Sequence, residues 1–138
     1  MSPGATTGDV RAAVENLLGT YARLCDERDF PGLAVLLCGA VVTFGDADAV
    51  SGPGAVADLF EQAFSAGQRT RHLITNVVVA QPSAGVAVSH AYYTRWVLDP
   101  APTLAGMGGY RSEFVSDEAH WRFTAHTVRR DWFQELPE

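Results

Sequence analysis

A carboxylate and an imidazole stand at two places in this 138-residue chain from which they could meet in one pocket. Asp26 lies near the end of the first long helical pattern, and His72 opens a strand-like run that covers residues 71–76. An acid and a base on separate elements of a small domain are the minimum for proton transfer in catalysis. We therefore interpret the chain as an enzyme, with Asp26 and His72 as its candidate catalytic residues.

The composition predicts one folded domain and excludes several function classes. Hydrophobic residues make up 47% of the chain and charged residues 19%, so a core is available, and the formal net charge is −6. No basic run exists, which argues against nucleic-acid binding. Lys is absent from the sequence, which excludes Schiff-base chemistry on a lysine amine.

The N-terminus and the cysteines indicate an ordinary cytoplasmic protein without a cofactor. Residues 1–8 are small and polar, so we expect a flexible N-terminus followed by one domain over residues 9–134, with no signal peptide and no membrane span. Cys25 and Cys38 are expected to be buried free thiols. No Cys or His spacing suits a metal, so we predict neither metal nor cofactor.

The apolar periodicity predicts helices first and strands afterwards. The predicted order is helix, helix, strand, helix and then a four-stranded meander, which indicates an α+β domain with its helices packed on a curved antiparallel sheet. Asp29 is expected to cap the second helix. The predicted helices cover residues 9–28, 31–37 and 55–65, the strands 40–44, 71–80, 85–98, 109–116 and 121–133, with a loop at 100–108 and a turn at 117–119.

This order resembles the nuclear-transport-factor-2-like superfamily and, within it, the SnoaL-like branch. The resemblance covers nearly the whole chain. The matching features are Tyr21, Asp26 and Asp29 at the end of the first helix, the glycine-led third helix at Gly52, the run at 71–76, Gly109-Tyr110, and Trp121-Arg122-Phe123. It implies a cone-shaped fold, a deep apolar pocket and homodimerisation. Because the fold serves several chemistries, it does not name the reaction.

The scytalone-dehydratase-like members imply the roles of Asp26 and His72, since they place a catalytic aspartate and histidine at these two positions. Other positions depart from that pattern: Cys25 replaces a tyrosine, and Gly108 and Tyr110 replace a serine and an asparagine. These departures argue against the same substrate. On an ideal helix Asp26 also lies roughly 140° from Tyr21, at the centre of the apolar stripe, which would favour solvent.

Strand alternation predicts which other side chains line the pocket. We expect Arg95 to face water or a partner subunit, so that Tyr92 and Trp96 face the cavity, while His126 shares a face with Arg122 and Val128. An aromatic pocket of this kind suits a flat, polycyclic or polyene substrate. The candidate substrate-binding residues are Tyr21, Asn76, His90, Tyr92, Trp96, Tyr110 and Phe114.

The sequence therefore favours a cofactor-independent cyclase, dehydratase or isomerase acting on a small apolar, polyketide-like intermediate. Asp26 would be the general base or the partner that keeps His72 correctly protonated, and Tyr92 or Tyr110 would donate a hydrogen bond to the substrate carbonyl. Three alternatives stay open: an epoxide-opening enzyme, a non-catalytic ligand-binding or scaffold protein, and the small subunit of a ring-hydroxylating oxygenase. The small-molecule substrate is the expected partner, with a second copy of the chain as a homodimer.

Overall fold

The computed structural model describes residues 7–64, 67–117 and 120–137, which form three helices and one five-stranded sheet. The expected flexible N-terminus at 1–8 lies outside the described residues except for its last two, which belong to the first helix. The elements are α1 (Thr7–Glu27), α2 (Phe30–Leu36), β1 (Val41–Phe44), α3 (Pro53–Ala63), β2 (Thr70–Ser83), β3 (Val86–Val97), β4 (Thr103–Asp117) and β5 (His120–Phe133).

The sheet order is β1-β5-β4-β3-β2. The last four strands form the predicted antiparallel meander, and β1 adds to it in parallel, with Val42 opposite His126. The α+β prediction is confirmed, as three helices pack against a mixed sheet that does not close. Strand β2 is an edge strand of the sheet, and it lies against α1.

The sheet carries irregularities at which the paired residues shift register. One lies in β2 between Thr75 and Val78, and another lies where β5 inserts Thr124 opposite β4. A bulge adds local twist and reverses the phase of the side chains that follow it. These bulges curve the sheet around α1, and they change which residues face the interior.

The core lies between α1 and the concave face of the sheet. Residues of α1 recur at three- and four-residue steps and are at most 2% exposed, as expected of an amphipathic helix: Val10, Val14, Leu18, Tyr21 and Cys25. They pack against Phe60 of α3 and Phe114 and Phe123 of the sheet. Asp29 caps α2 as predicted, since its Oδ1 accepts a hydrogen bond from the Gly32 amide at 2.9 Å.

Several local predictions were wrong. The loop expected at 100–108 is mostly strand, because β4 begins at Thr103 and pairs with the end of β3. Cys38 is exposed rather than buried. The third helix spans 53–63 rather than 55–65, and Ser65, like most of the turn expected at 117–119, lies outside the described residues.

Trp132 lies on the outer face of the sheet and not in the core. It is 43% exposed and pairs with Met107, which is 39% exposed. Thr94 and Leu73 continue the same row across β3 and β2. The convex face of the sheet therefore carries an apolar row.

Gly108 tests how closely β4 packs against its neighbours, and Gly19 in α1 is its control. A Cβ at Gly108 in β4 would lie 1.9 Å from the Arg129 carbonyl oxygen and 2.8 Å from the Tyr93 ring, whereas a Cβ at Gly19 in α1 would meet nothing within 4 Å. We predict that Gly108→Ala lowers the free energy of unfolding by about 2 kcal/mol or more. Gly19→Ala should raise it by about 0.5–1 kcal/mol.

Urea unfolding of the two variants beside the wild type measures both effects. A Gly108→Ala protein as stable as the wild type would show that β4 and β5 do not approach each other as closely as described.

Candidate active site

Asp26 and His72 meet inside the domain. The Asp26 Oδ1 lies 2.6 Å from the His72 Nδ1, and the two side chains are 14% and 4% exposed, respectively. The same carboxylate accepts the backbone N–H of His72, at 3.1 Å from Oδ1 and 3.0 Å from Oδ2. The position of Asp26 on the helical wheel therefore does not send it to solvent, because the edge strand β2 lies beside that flank of α1.

The contact with Asp26 determines which nitrogen of the His72 ring carries the proton. An ionised carboxylate only accepts hydrogen bonds, so Nδ1 carries the proton that it donates to Asp26. In the neutral imidazole Nε2 is then the unprotonated nitrogen, and it has no hydrogen-bond partner among the described residues. His72 lines the interior cavity, which makes this nitrogen the one that can meet a ligand.

The pair is supported by its neighbours. Thr70 donates its hydroxyl to Asp26 Oδ1 at 3.2 Å, and Arg28 donates to the Thr70 oxygen at 3.0 Å. Arg28 also donates to the Gln68 carbonyl oxygen. The ring of Phe64 meets the His72 ring edge-on with centroids 5.5 Å apart. These contacts hold Asp26 and His72 in fixed positions relative to the cavity.

The cavity has a volume of about 920 Å³, which suits a small organic molecule. Its walls come from α1, α3 and the concave face of the sheet, and its mouth lies near the end of β5. A second space of about 900 Å³ is a groove along the outside of α1 and β2. Asp26 lines only the groove, whereas His72 lines both spaces, so the histidine stands between them.

Aromatic hydroxyls form the wall of the cavity beyond His72. Tyr93 stacks on Tyr110 with ring centroids 4.5 Å apart and planes 10° apart, and Tyr21 meets Tyr110 edge-on at 5.4 Å. Burial raises the pKa of Tyr21, Tyr110 and Tyr93 above their ordinary values. The three phenols therefore stay neutral at physiological pH and can donate hydrogen bonds.

Of the predicted substrate-binding residues, the structure places Tyr21 and Tyr110 at the cavity. Phe114 faces inward as expected, but it is fully buried in the core against Phe123 and does not line the cavity. Asn76 is exposed in the β2 bulge with φ 55°, so it does not share the inner face with His72. That inner face continues through Ile74 and then changes phase to Val77.

The predicted faces of β3 were inverted. Tyr92 is 56% exposed, His90 is exposed and Trp96 lies on the same outer face. Tyr93 and Arg95 instead line the cavity. The charge of Arg95 suggested an outward side chain, but the small buried residues that precede it at every second position in β3, Ala87, Ser89 and Ala91, carry the signal that Tyr93 and Arg95 face inward.

His126 shares its inner face with Val128 as expected but not with Arg122, because the bulge at Thr124 shifts the phase of β5. It is fully buried beside Phe123, and Arg122 is exposed. Its ring lies 4.4 Å from the centroid of Tyr21, and its Nδ1 lies 2.8 Å from the Ser112 hydroxyl. Its Nε2 has no hydrogen-bond partner among the described residues.

Within residues 7–64, 67–117 and 120–137, no group of three or more His, Cys, Asp or Glu side chains could hold a metal ion. None of the helices in this part of the chain has the length and apolar character that a membrane crossing requires.

Known proteins share this fold. Residues 7–127 match the family model of the SnoaL-like domain. Aln2 from a Streptomyces species is 19% identical, with 94% of this chain and 95% of that chain covered and a TM-score of 0.81. ActVI-ORFA from Streptomyces coelicolor is 18% identical, with 88% and 98% covered and a TM-score of 0.79.

A third structure is a proposed scytalone dehydratase from Novosphingobium aromaticivorans. It is 17% identical, with 93% of this chain and 88% of that chain covered and a TM-score of 0.76. Identities this low establish the shared fold and not a shared reaction. No curated protein matches the chain.

Burial of His126 predicts a pH-dependent stability. Burial lowers the pKa of His126 from 6.5 to about 3. Between these two pH values the unfolded chain binds a proton at His126 and the folded protein does not. Stability from this residue is therefore complete above pH 6.5, and it falls by about 1.4 kcal/mol per pH unit between pH 6.5 and about 3. From pH 7 to 4.5, the wild type should lose about 2–3 kcal/mol more than His126→Asn.

Urea unfolding at the two pH values gives this difference, from which any constant effect of the substitution cancels. Equal losses in the two proteins would show that His126 titrates normally in the folded state.

Proposed function

The chain belongs to the SnoaL-like family, and we propose that it is a cofactor-independent cyclase, dehydratase or isomerase. Its substrate is a small, mostly apolar and polyketide-like molecule that contains a carbonyl group. The observation that carries the proposal is the largely buried Asp26–His72 pair, with Nδ1 and Oδ1 2.6 Å apart and the histidine lining the cavity.

In this proposal His72 is the general base and Asp26 is the residue that orients it. The Asp26 carboxylate holds the proton on Nδ1, so the lone pair on Nε2 is directed at the ligand. Nε2 removes a proton from the carbon next to the substrate carbonyl, which leaves an enolate and an imidazolium. The carboxylate stabilises that imidazolium, because opposite charges in a poorly solvated site attract strongly.

The enolate oxygen needs hydrogen-bond donors. Tyr110 and Tyr93 line the same cavity as neutral phenols and can supply them. Tyr92, the other donor considered from the sequence, lies on the opposite face of β3. The enolate then closes a ring on a second carbonyl, expels a β-hydroxyl group as water with the proton returned by His72, or is protonated at another carbon.

A second candidate function is ligand binding without catalysis. It is favoured by the Asp26 carboxylate accepting the backbone N–H of His72 and the hydroxyl of Thr70, contacts that stabilise an edge strand in any protein. The two functions differ in what removal of the His72 ring does to turnover, which the next experiment measures.

Proton transfer by His72 is measurable without the natural substrate. In D₂O near neutral pH, the wild type should speed deuterium incorporation next to the carbonyl of 1-tetralone, a bicyclic aromatic ketone, as followed by NMR. His72→Ala and Asp26→Asn should each lower the enzymatic rate by about 10²- to 10⁴-fold, because a positioned base contributes that much.

Circular dichroism and thermal unfolding establish that each variant is folded. His90→Ala, on the exposed face of β3, is the matched histidine control and should exchange at the wild-type rate. Exchange that survives in a folded His72→Ala protein would contradict the assignment of the base, and binding of the ketone without exchange would favour the non-catalytic function.

The tyrosines give a paired test of the carbonyl site. Tyr110→Phe removes a hydroxyl from the cavity and should slow the exchange reaction by about 10-fold or more. Tyr92→Phe makes the same chemical change on the exposed face and should leave the rate unchanged. Equal rates in both variants would remove Tyr110 from the proposed carbonyl site.

A further inference from the structure

Arg95 brings a positive charge into the cavity. It lies on β3 directly opposite His72 of β2, so the two side chains share the concave face of the sheet. Its guanidinium is half-buried among the residues that line the cavity. Arg95 forms no hydrogen bond or ion pair within the part of the chain that the structure describes.

The surroundings of Arg95 add to this positive charge. Four of the ten basic residues of an acidic chain line the cavity: Arg28, Arg95, Arg129 and Arg130. The lining carboxylates, Asp46 and Glu135, are exposed. The positive charges of Arg28 and Arg130 act unfavourably on that of Arg95. A bound anion would relieve this repulsion and replace part of the water that Arg95 has lost.

The other three arginines are already engaged. Arg28 donates to Thr70 and to the Gln68 carbonyl, and Arg129 pairs with Asp131 at 2.7 Å. Arg130 is exposed and lies over the ring of Phe133 at 4.5 Å. Arg95 is the one of the four that combines partial burial with an unused guanidinium.

We propose that this cavity is specific for substrates that carry a carboxylate, which Arg95 binds while His72 acts on a carbon a few bonds away. The inference rests on the proposed function of the same cavity and names its substrate class: aromatic or polycyclic keto acids. One planar guanidinium matches one carboxylate through two parallel hydrogen bonds. The aromatic rings of Tyr93 and Phe64 line the space that the apolar part of such an acid would occupy.

Gly106 of β4 supports this placement of the carboxylate. It lies opposite Arg95 in the β3–β4 register, and it lines the cavity without a side chain. On the other side of Arg95 stands His72. Arg95 therefore has no side chain beside it at the paired position of β4 and the candidate base beside it in β2, so an anion on Arg95 leaves the rest of the substrate beside His72.

A pair of ligands of equal size tests the proposal by calorimetry. The wild type should bind 2-naphthoate at least tenfold more tightly than the neutral 2-naphthamide, since a hydrogen bond to a charged group contributes about that factor. In Arg95→Met the two affinities should become equal. Arg95→Lys should keep part of the preference, because it retains the charge without the planar fork.

Arg111→Met is the matched control, as Arg111 is an exposed arginine on the adjacent strand and should keep the wild-type preference. Excess inorganic phosphate should fail to displace 2-naphthoate. Displacement would show that Arg95 belongs to a general anion site and not to a carboxylate site. Equal binding of acid and amide by the wild type, or an unchanged preference in a folded Arg95→Met protein, would overturn the inference.

The outcome is separable from that of the proposed function. His72→Ala should keep the preference for 2-naphthoate, because the carboxylate site does not use the base. Catalysed exchange of 1-tetralone together with equal binding of acid and amide would leave the reaction class standing and remove the carboxylate site. A preference for 2-naphthoate without catalysed exchange of 1-tetralone would retain the carboxylate site and contradict the proposed catalysis.

Discussion

The rest of the site depends on one carboxylate, that of Asp26, which joins the end of α1 to the edge strand β2. It accepts both the backbone N–H and the ring N–H of His72. An unpaired N–H on a sheet edge would otherwise need water, and an unrestrained imidazole could rotate or change tautomer. A single partly buried group thus fixes the position of the edge strand and the orientation of the candidate base, so stability and chemistry are coupled at this point.

The curvature of the sheet makes this contact possible. Because the bulges bend the meander around α1, β2 reaches the flank of the helix that a helical wheel assigns to solvent. The same curvature leaves a cavity between the helices and the concave face, and a Cβ at Gly108 would not fit where β4 and β5 approach each other there. The contact between β2 and α1 and the cavity under the concave face therefore have one cause, which is the register shifts within otherwise regular strands.

The sequence was sufficient for the fold class, the order of the elements and the Asp26–His72 pairing. Apolar periodicity fixes α1 because its buried residues repeat at helical spacing over the whole helix. The faces of the strands were harder to predict, because a period of two is reversed by a bulge that nothing in the local composition announces. The grouping of His126 with Arg122 and the inward face of Asn76 were wrong for this reason, and the outward face of Arg95 was wrong because an arginine is usually placed in water.

His72 can act as the proposed base only if Asp26 holds the proton on Nδ1, so the tautomer of His72 is the most direct test. Long-range ¹H–¹⁵N NMR spectra of ring-labelled protein near neutral pH distinguish the two nitrogens of a histidine. We expect a protonated Nδ1 and an unprotonated Nε2 in the wild type, and loss of this tautomer in Asp26→Asn. A His72 that carries its proton on Nε2 in the wild type would contradict its proposed role as the base.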